Sequence, residues 1–168
     1  MIIKKKNPSA AASEEEIVAH FAATCRGAGV KLTQQRLVIL KEVLKRRDHP
    51  DAEAVFRTVR RKLPTVSLDT VYRTLWFLHD LGLVEALDRG NGSLRFDTNS
   101  LLHHHFVCVQ CGAIHDFENA AFDKLTVPKA ASAFGRIKKV QVEFRGLCKN
   151  CEKNENKKIN KEETHEKK

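Results

Sequence analysis

Two Cys-x-x-Cys pairs, Cys108–Cys111 and Cys148–Cys151, stand 36 residues apart in a chain of 168. No other feature restricts the fold as tightly. Each two-residue spacer lets a pair of thiolates turn toward one ion. Four thiolates match the tetrahedral preference of Zn(II) and leave no position open for chemistry. The segment between the pairs must therefore return the chain to its starting point. The competing use, thiol–disulfide exchange, needs a strand-then-helix setting that this stretch lacks. Cys25 stands alone on a helical pattern and reads as core.

Just ahead of the first pair the sequence runs LLHHHFVCVQCGAIHDF, Leu101 to Phe117. In an extended segment side chains alternate between faces. His103 and His105 then share one face and His104 points the other way. Two imidazoles do not complete a site. Asp97, just upstream, and Asp116, on the strand expected to pair through the knuckle, are the nearest carboxylates. Imidazoles with hard carboxylates suit Fe(II), Mn(II) or Zn(II). The plain alternative is a polar, His-rich loop.

The first part of the chain reads as short helices. Residues 1–13 look like a flexible arm. Ile17, Val18, Phe21 and Ala22 recur at helical spacing between Glu14 and Gly27. Thr33 can cap a second helix carrying Leu37, Leu40, Val43 and Leu44, stopped by Arg46–Pro50. Asp51 can cap a third, with Ala54, Val55 and Val59 inward, ending before Pro64. Ser67 starts a fourth, with Val66 and Val71 placed for a hydrophobic staple. Its buried side should be Leu68, Val71, Leu75 and Leu78, and its exposed side Asp69, Thr70, Tyr72, Arg73 and Thr74. Two strands follow, Leu83–Leu87 and Leu94–Phe96, across an Arg89-Gly90-Asn91-Gly92 hairpin turn. Helices followed by a two-stranded wing describe a winged helix-turn-helix, with the fourth helix as recognition helix. Arg73 can read a guanine edge or hold a phosphate, and Tyr72 can pack on a thymine methyl.

Beyond Asn99 the pattern changes. Phe106–Val109 and Ile114–Phe117 read as strands, Ala120–Phe134 as largely helical with a break at Pro128, and Val140–Phe144 as a strand. The segment after Cys151 is highly charged and reads as disordered.

Net charge is +9. Basic residues outnumber acidic ones 17 to 12 up to Thr98 and 13 to 9 after it, so the excess is spread over both parts. That balance favours an anionic partner, most simply nucleic acid. No apolar run approaches a membrane span, and the opening residues lack the apolar core of a secretory signal. A cytoplasmic location with no membrane partner is expected.

Several motifs occur in a fixed order: LTQQR at 32–36, HP at 49–50, SLDTVYRTL at 67–75, GLV at 82–84, RFD at 95–97, HHHF at 103–106, CxxCG at 108–112 and GLCxxC at 146–151. Together they resemble the ferric uptake regulator family of metal-dependent repressors, from about Glu14 to Cys151. The resemblance implies an α+β chain: a winged-helix DNA-binding domain over 14–98, then a small α/β dimerisation and metal-binding domain over 99–151 with a four-cysteine structural zinc. It implies a homodimer on double-stranded operator DNA. It also implies a regulatory Fe(II) or Mn(II) site at the hinge, which by position is His49, Asp97, His103, His105 and Asp116. His49 enters only through the resemblance. Lys31 is the expected minor-groove contact beside Tyr72 and Arg73.

Asp116 stands where peroxide sensors of the family commonly carry Asp and iron sensors Glu. The peroxide branch implies oxidation of His49 or His103, with loss of the site and release of DNA. An iron-uptake repressor is the alternative, favoured by Tyr72-Arg73-Thr74. A further family site needs histidines where this chain has Leu102 and Val140. A zinc hydrolase, the reading from another class, needs a general base beside the histidines, and no HExxH or HxE pattern supplies one. The chain is not expected to be an enzyme.

Overall fold

The computed structural model describes residues 13–88, 94–99 and 101–155 of the chain. The arm over 1–12, the Arg89–Gly92 turn and the tail from 156 onward lie outside the described residues. The chain divides after Leu101 into two compact units.

The first unit is four helices and a two-stranded sheet: α1 (Glu14–Gly27), α2 (Gln34–Leu44), α3 (Ala52–Lys62), α4 (Leu68–Asp80), β1 (Glu85–Asp88) and β2 (Leu94–Asp97). Every helix begins on a side-chain cap. Ser13, Thr33, Asp51 and Ser67 each accept a backbone N–H of the first turn, and Ser13 completes a capping box with Glu16. At the end of α4, Gly82 takes φ +73, Gly82 N–H reaches His79 O at 2.8 Å and Leu83 N–H reaches Leu78 O at 2.9 Å. That left-handed turn satisfies the last carbonyls and redirects the chain into β1.

The core joins Phe21 and Cys25 of α1, Ile39, Leu40 and Val43 of α2, Val55 and Val59 of α3, and Val71, Leu75 and Leu78 of α4. Phe96 of β2 closes it. Burial pushes the Cys25 thiol pKa up, as befits a core residue. The buried side of α4 differs from expectation at two positions. Leu68 is 36% exposed, whereas Thr74 is 4% exposed and sits among the core residues. Leu68 occupies the first helical position, at the edge of the core. Thr74 buries its hydroxyl at little cost because Oγ1 donates to Thr70 O at 2.7 Å.

In the second unit β3 (His104–Cys108) is the central strand of three. β4 (Ile114–Phe117) pairs with it antiparallel and β5 (Glu143–Gly146) pairs with it parallel. Two short helices, α5 (Ala120–Asp123) and α6 (Lys129–Ser132), lie between β4 and β5. The stretch Ala120–Phe134, expected to be largely helical with a break at Pro128, is two single turns, and α6 begins directly after Pro128, which withholds an amide from any helix running into it. The expected strand at Val140–Phe144 begins later. Its ladder spans Glu143 to Gly146, and the Val142 carbonyl ahead of it accepts His105 N–H at 3.1 Å. Residues 149–155 are helical, so the charged segment past Cys151 is ordered at least that far.

His104 does face away from His103 and His105, but it is fully buried. Its ring lies 5.5 Å from both Phe117 and Phe122. Val142 N–H donates to its Nδ1 at 3.2 Å, and its Nε2 stands 3.2 Å from Asp123 Oδ1. A backbone N–H can only donate, so the ring proton is on Nε2 and bonds Asp123. Truncating this ring leaves a cavity and takes the acceptor from Val142 N–H. His104→Ala is expected to cost about 2–4 kcal/mol of stability; urea unfolding measures it, and a loss under about 0.5 kcal/mol would show that the ring is not structural.

Candidate metal centres and nucleic-acid interface

The cysteine site is built by two tight knuckles. Cys108 ends β3. Gly112, at φ +66, returns its N–H to Cys108 O at 2.8 Å, and Cys108 N–H reaches Ala113 O at 2.9 Å. This hairpin places Cys111 back beside Cys108. Parallel pairing of β5 carries the chain to Gly146, whose carbonyl accepts Val109 N–H at 2.9 Å, and delivers Cys148 and Cys151 to the same spot. One ligand atom from each of the four cysteines lies within 4.8 Å of all the others. Cys111 Sγ and Cys148 Sγ are 3.8 Å apart. Thiolates at ~2.3 Å from a tetrahedral zinc stand about 3.8 Å from one another, so the spacing fits Zn(II).

The thiols also compete for charge. Burial opposes ionisation of Cys108, but backbone N–H groups of Cys111, Cys148 and Gln110 outweigh it and bring its pKa down to about 5. Cys151 is pushed up to about 12, by burial and then by the neighbouring cysteine sulfurs. Four thiolates cannot share this volume without a cation, and a divalent ion removes the conflict.

Each unit carries part of the other expected ligand set. In the first, His49 and Asp97 are both buried, with His49 Nε2 3.7 Å from Asp97 Oδ1. The backbone explains the approach. Phe96 N–H bonds Pro50 O at 3.0 Å, tying the 49–50 corner to β2 one residue before Asp97. His49 itself sits at φ +47, in the left-handed region that a side chain rarely adopts. Arg95 Nη1 reaches His49 O at 3.4 Å and Asp51 Oδ2 at 3.3 Å, clamping that corner from β2. The only sequence signal for Arg95 was its place in RFD, and nothing pointed to its partners.

In the second unit His103 and His105 are buried on one face, with their Nε2 atoms 2.8 Å apart. Cis ligands at ~2.1 Å from one ion stand about 3.0 Å apart, so the pair has the spacing of two ligands to one metal. Asp116 is the direct register partner of His105, which puts its Oδ1 at 3.5 Å from His105 Nε2 and 3.8 Å from His103 Nε2. Strand pairing thus brings His103, His105 and Asp116 together within the second unit.

The residues expected on DNA lie on the first unit. Lys31 is exposed just before α2. Tyr72 is 40% exposed on α4. Arg73 is exposed and pairs with Asp69 one turn earlier, Nε to Oδ2 at 2.9 Å. Lys31, Arg36 and Arg73 line one cleft of about 380 Å³ between the start of α2 and the start of α4, with Asp69, Thr70 and Thr33. Among the described residues, no helix is long and apolar enough to cross a membrane.

The cysteine site carries its own expectation. Cys108→Ser removes the most buried of the four ligands, and structural zinc typically supplies about 10 kcal/mol or more of folding free energy. The variant is expected to lose its tightly held zinc by elemental analysis and to unfold by circular dichroism. Retained helicity with an unchanged thermal midpoint would show that the thiolates have no structural role.

Residues 27–145 match the ferric uptake regulator family. The peroxide-responsive repressor PerR of Staphylococcus epidermidis is 32% identical over 134 residues, covering 80% of this chain and 89% of that protein. Among solved structures, the Campylobacter jejuni peroxide stress regulator is 27% identical with a TM-score of 0.59, over 81% of this chain and 99% of that one. The Helicobacter pylori ferric uptake regulator Fur superposes with a TM-score of 0.72 at 20% identity, covering 84% and 95%, a likeness of fold. With helices, wing, central-strand sheet and cysteine site in this arrangement, the chain belongs to the ferric uptake regulator family.

Proposed function

We propose that this protein is a metal-dependent repressor that binds operator DNA as a cytoplasmic homodimer and responds to hydrogen peroxide. The observation that carries the reading is the buried His103–His105 pair, 2.8 Å between Nε2 atoms, with the Asp116 carboxylate against it. Asp116, rather than Glu, favours the peroxide branch, as does the likeness to peroxide-responsive repressors.

In this reading His103, His105 and Asp116 of the second unit join His49 and Asp97 of the first on one Fe(II) or Mn(II). A shared ion ties the DNA-binding unit to the dimerisation unit, and in a dimer that sets the separation of two recognition helices. The separation must match half-sites on one face of the duplex. Metal and DNA binding then strengthen each other by the same factor. Zinc stays in the cysteine site, whose soft donors suit it, while the N/O set suits a harder ion.

Fe(II) held by these residues would activate the O–O bond of peroxide, with the two electrons of the net reduction drawn from the chain. The chain supplies the target. An imidazole of His49 or His103 gains one oxygen, and the other oxygen of the peroxide leaves as water. The oxidised ring no longer offers its original lone pair, so the ligand set fails and DNA affinity falls with it. On DNA, Arg73 exchanges Asp69 for a guanine edge or phosphate. That exchange costs little because an exposed pair one helical turn apart contributes only about 0.3–0.5 kcal/mol. The protein acts by binding and not by turnover. Tyr72-Arg73-Thr74 favours the second reading, a repressor that senses Fe(II) itself.

Fe(II)-loaded protein exposed without oxygen to a slight excess of peroxide separates the two. Mass spectrometry is expected to find one added oxygen on His49 or His103, with operator binding lost. Unmodified histidines with intact DNA binding would replace the peroxide reading by the iron reading. Asp116→Glu should slow this oxidation several-fold while sparing metal-dependent DNA binding. Arg73→Ala is expected to weaken operator binding by about 1–3 kcal/mol and to lower the slope of log affinity against log salt if it holds a phosphate. Titrations at several salt concentrations check both, and unchanged affinity would remove Arg73 from the interface.

A further inference from the structure

Gln141, just ahead of β5, places one atom against both sensory histidines. Its Nε2 lies 3.1 Å from His103 O and 3.2 Å from His105 Nδ1. A backbone carbonyl can only accept, so the amide nitrogen, not the oxygen, faces His103. The same NH₂ group then gives its second hydrogen to His105 Nδ1. A neutral imidazole has one N–H. With Nδ1 accepting, the proton of His105 is on Nε2. The neighbouring residue does the same at His104, where Val142 N–H donates to Nδ1. Residues 141 and 142 therefore dictate the tautomers of two consecutive histidines, one structural and one a ligand.

We propose that Gln141 is a positioning residue that holds His105 in the tautomer unable to ligate through Nε2, and so raises the metal concentration at which the sensory site fills. This rests on the proposed role of His105 as a ligand. For Nε2 to bind an ion, the proton on that nitrogen moves to Nδ1. The ring stays neutral, and the Gln141 amide gives up its bond to His105. A hydrogen bond lost on metal binding lowers affinity, which sets a threshold for filling. A residue that merely braced a ligand would have the opposite effect, because removing such support weakens metal binding.

The test uses the full-length protein with zinc in the cysteine site and no other metal, labelled with ¹⁵N-histidine. Long-range ¹H–¹⁵N spectra are expected to show His105 with a bare Nδ1 and a protonated Nε2. Mn(II) added to the wild type is expected to broaden the His103 and His105 signals. Gln141→Leu is expected to shift His105 toward the Nδ1–H form and to bind Mn(II) roughly three- to tenfold more tightly, the loss of one opposing hydrogen bond. Nδ1–H in the metal-free wild type overturns the inference without any variant, so a misfolded Gln141→Leu does not leave it open. Equal or weaker Mn(II) binding in a folded Gln141→Leu also overturns it. Both outcomes leave the metal site itself standing. If Mn(II) leaves both histidine signals sharp in the wild type, the ligand assignment fails and the inference falls with it.

Discussion

The pleat of β3 is the constraint on which the second unit depends. Alternation along five residues sends His105 to one face with His103 beside it, buries His104 on the other, and ends at the first zinc thiolate. Pairing with β4 then fixes which carboxylate meets the ligand pair, because Asp116 is the partner of His105. Pairing with β5 fixes which amide lies behind it and returns the second cysteine pair to the first. A slip of one residue in either ladder would exchange every one of these neighbours, since strand side chains have a period of two.

The first unit solves a similar problem with a corner. Pro50 follows His49, and a residue before proline is kept out of the right-handed helical region. Here His49 goes to φ +47 instead. A conformation of that kind persists only where surrounding contacts hold it. Phe96 N–H on Pro50 O and Arg95 on His49 O and Asp51 provide them. Since Arg95 and Phe96 directly precede Asp97, three consecutive residues of β2 position one half of the proposed ligand set.

The two kinds of donor divide the chemistry. Soft thiolates in a closed tetrahedron give a centre suited to holding the fold. Imidazoles and carboxylates give one suited to exchangeable, redox-active or hard ions. The sites overlap in sequence between His103 and Asp116, yet strand geometry keeps their ligands on different neighbours.

Much of this was legible in the sequence because the signals are local or periodic. Thr33, Asp51 and Ser67 are caps by residue type and position. The helical stripes place Phe21, Leu40, Val55 and Leu75 inward, and the Cys-x-x-Cys pairs name their own partners. Strand parity alone separated His103 and His105 from His104. The misreadings came where a third element decides. Thr74 faces the core from α4, its hydroxyl satisfied within the helix by Thr70 O, and Leu68 lies at the core edge. The β5 ladder starts at Glu143 because that residue meets His105 in register, not because the alternation begins there. Strand parity says only that His104 points away from the ligand pair, and the Phe117–Phe122 pocket and the Val142 amide make it structural. By itself the sequence determined which residue types could hold which ions, since ligand chemistry belongs to the side chain. The tertiary structure alone decided the registers, the left-handed corner at His49 and the amide behind His105, because each depends on contacts between segments far apart in the chain.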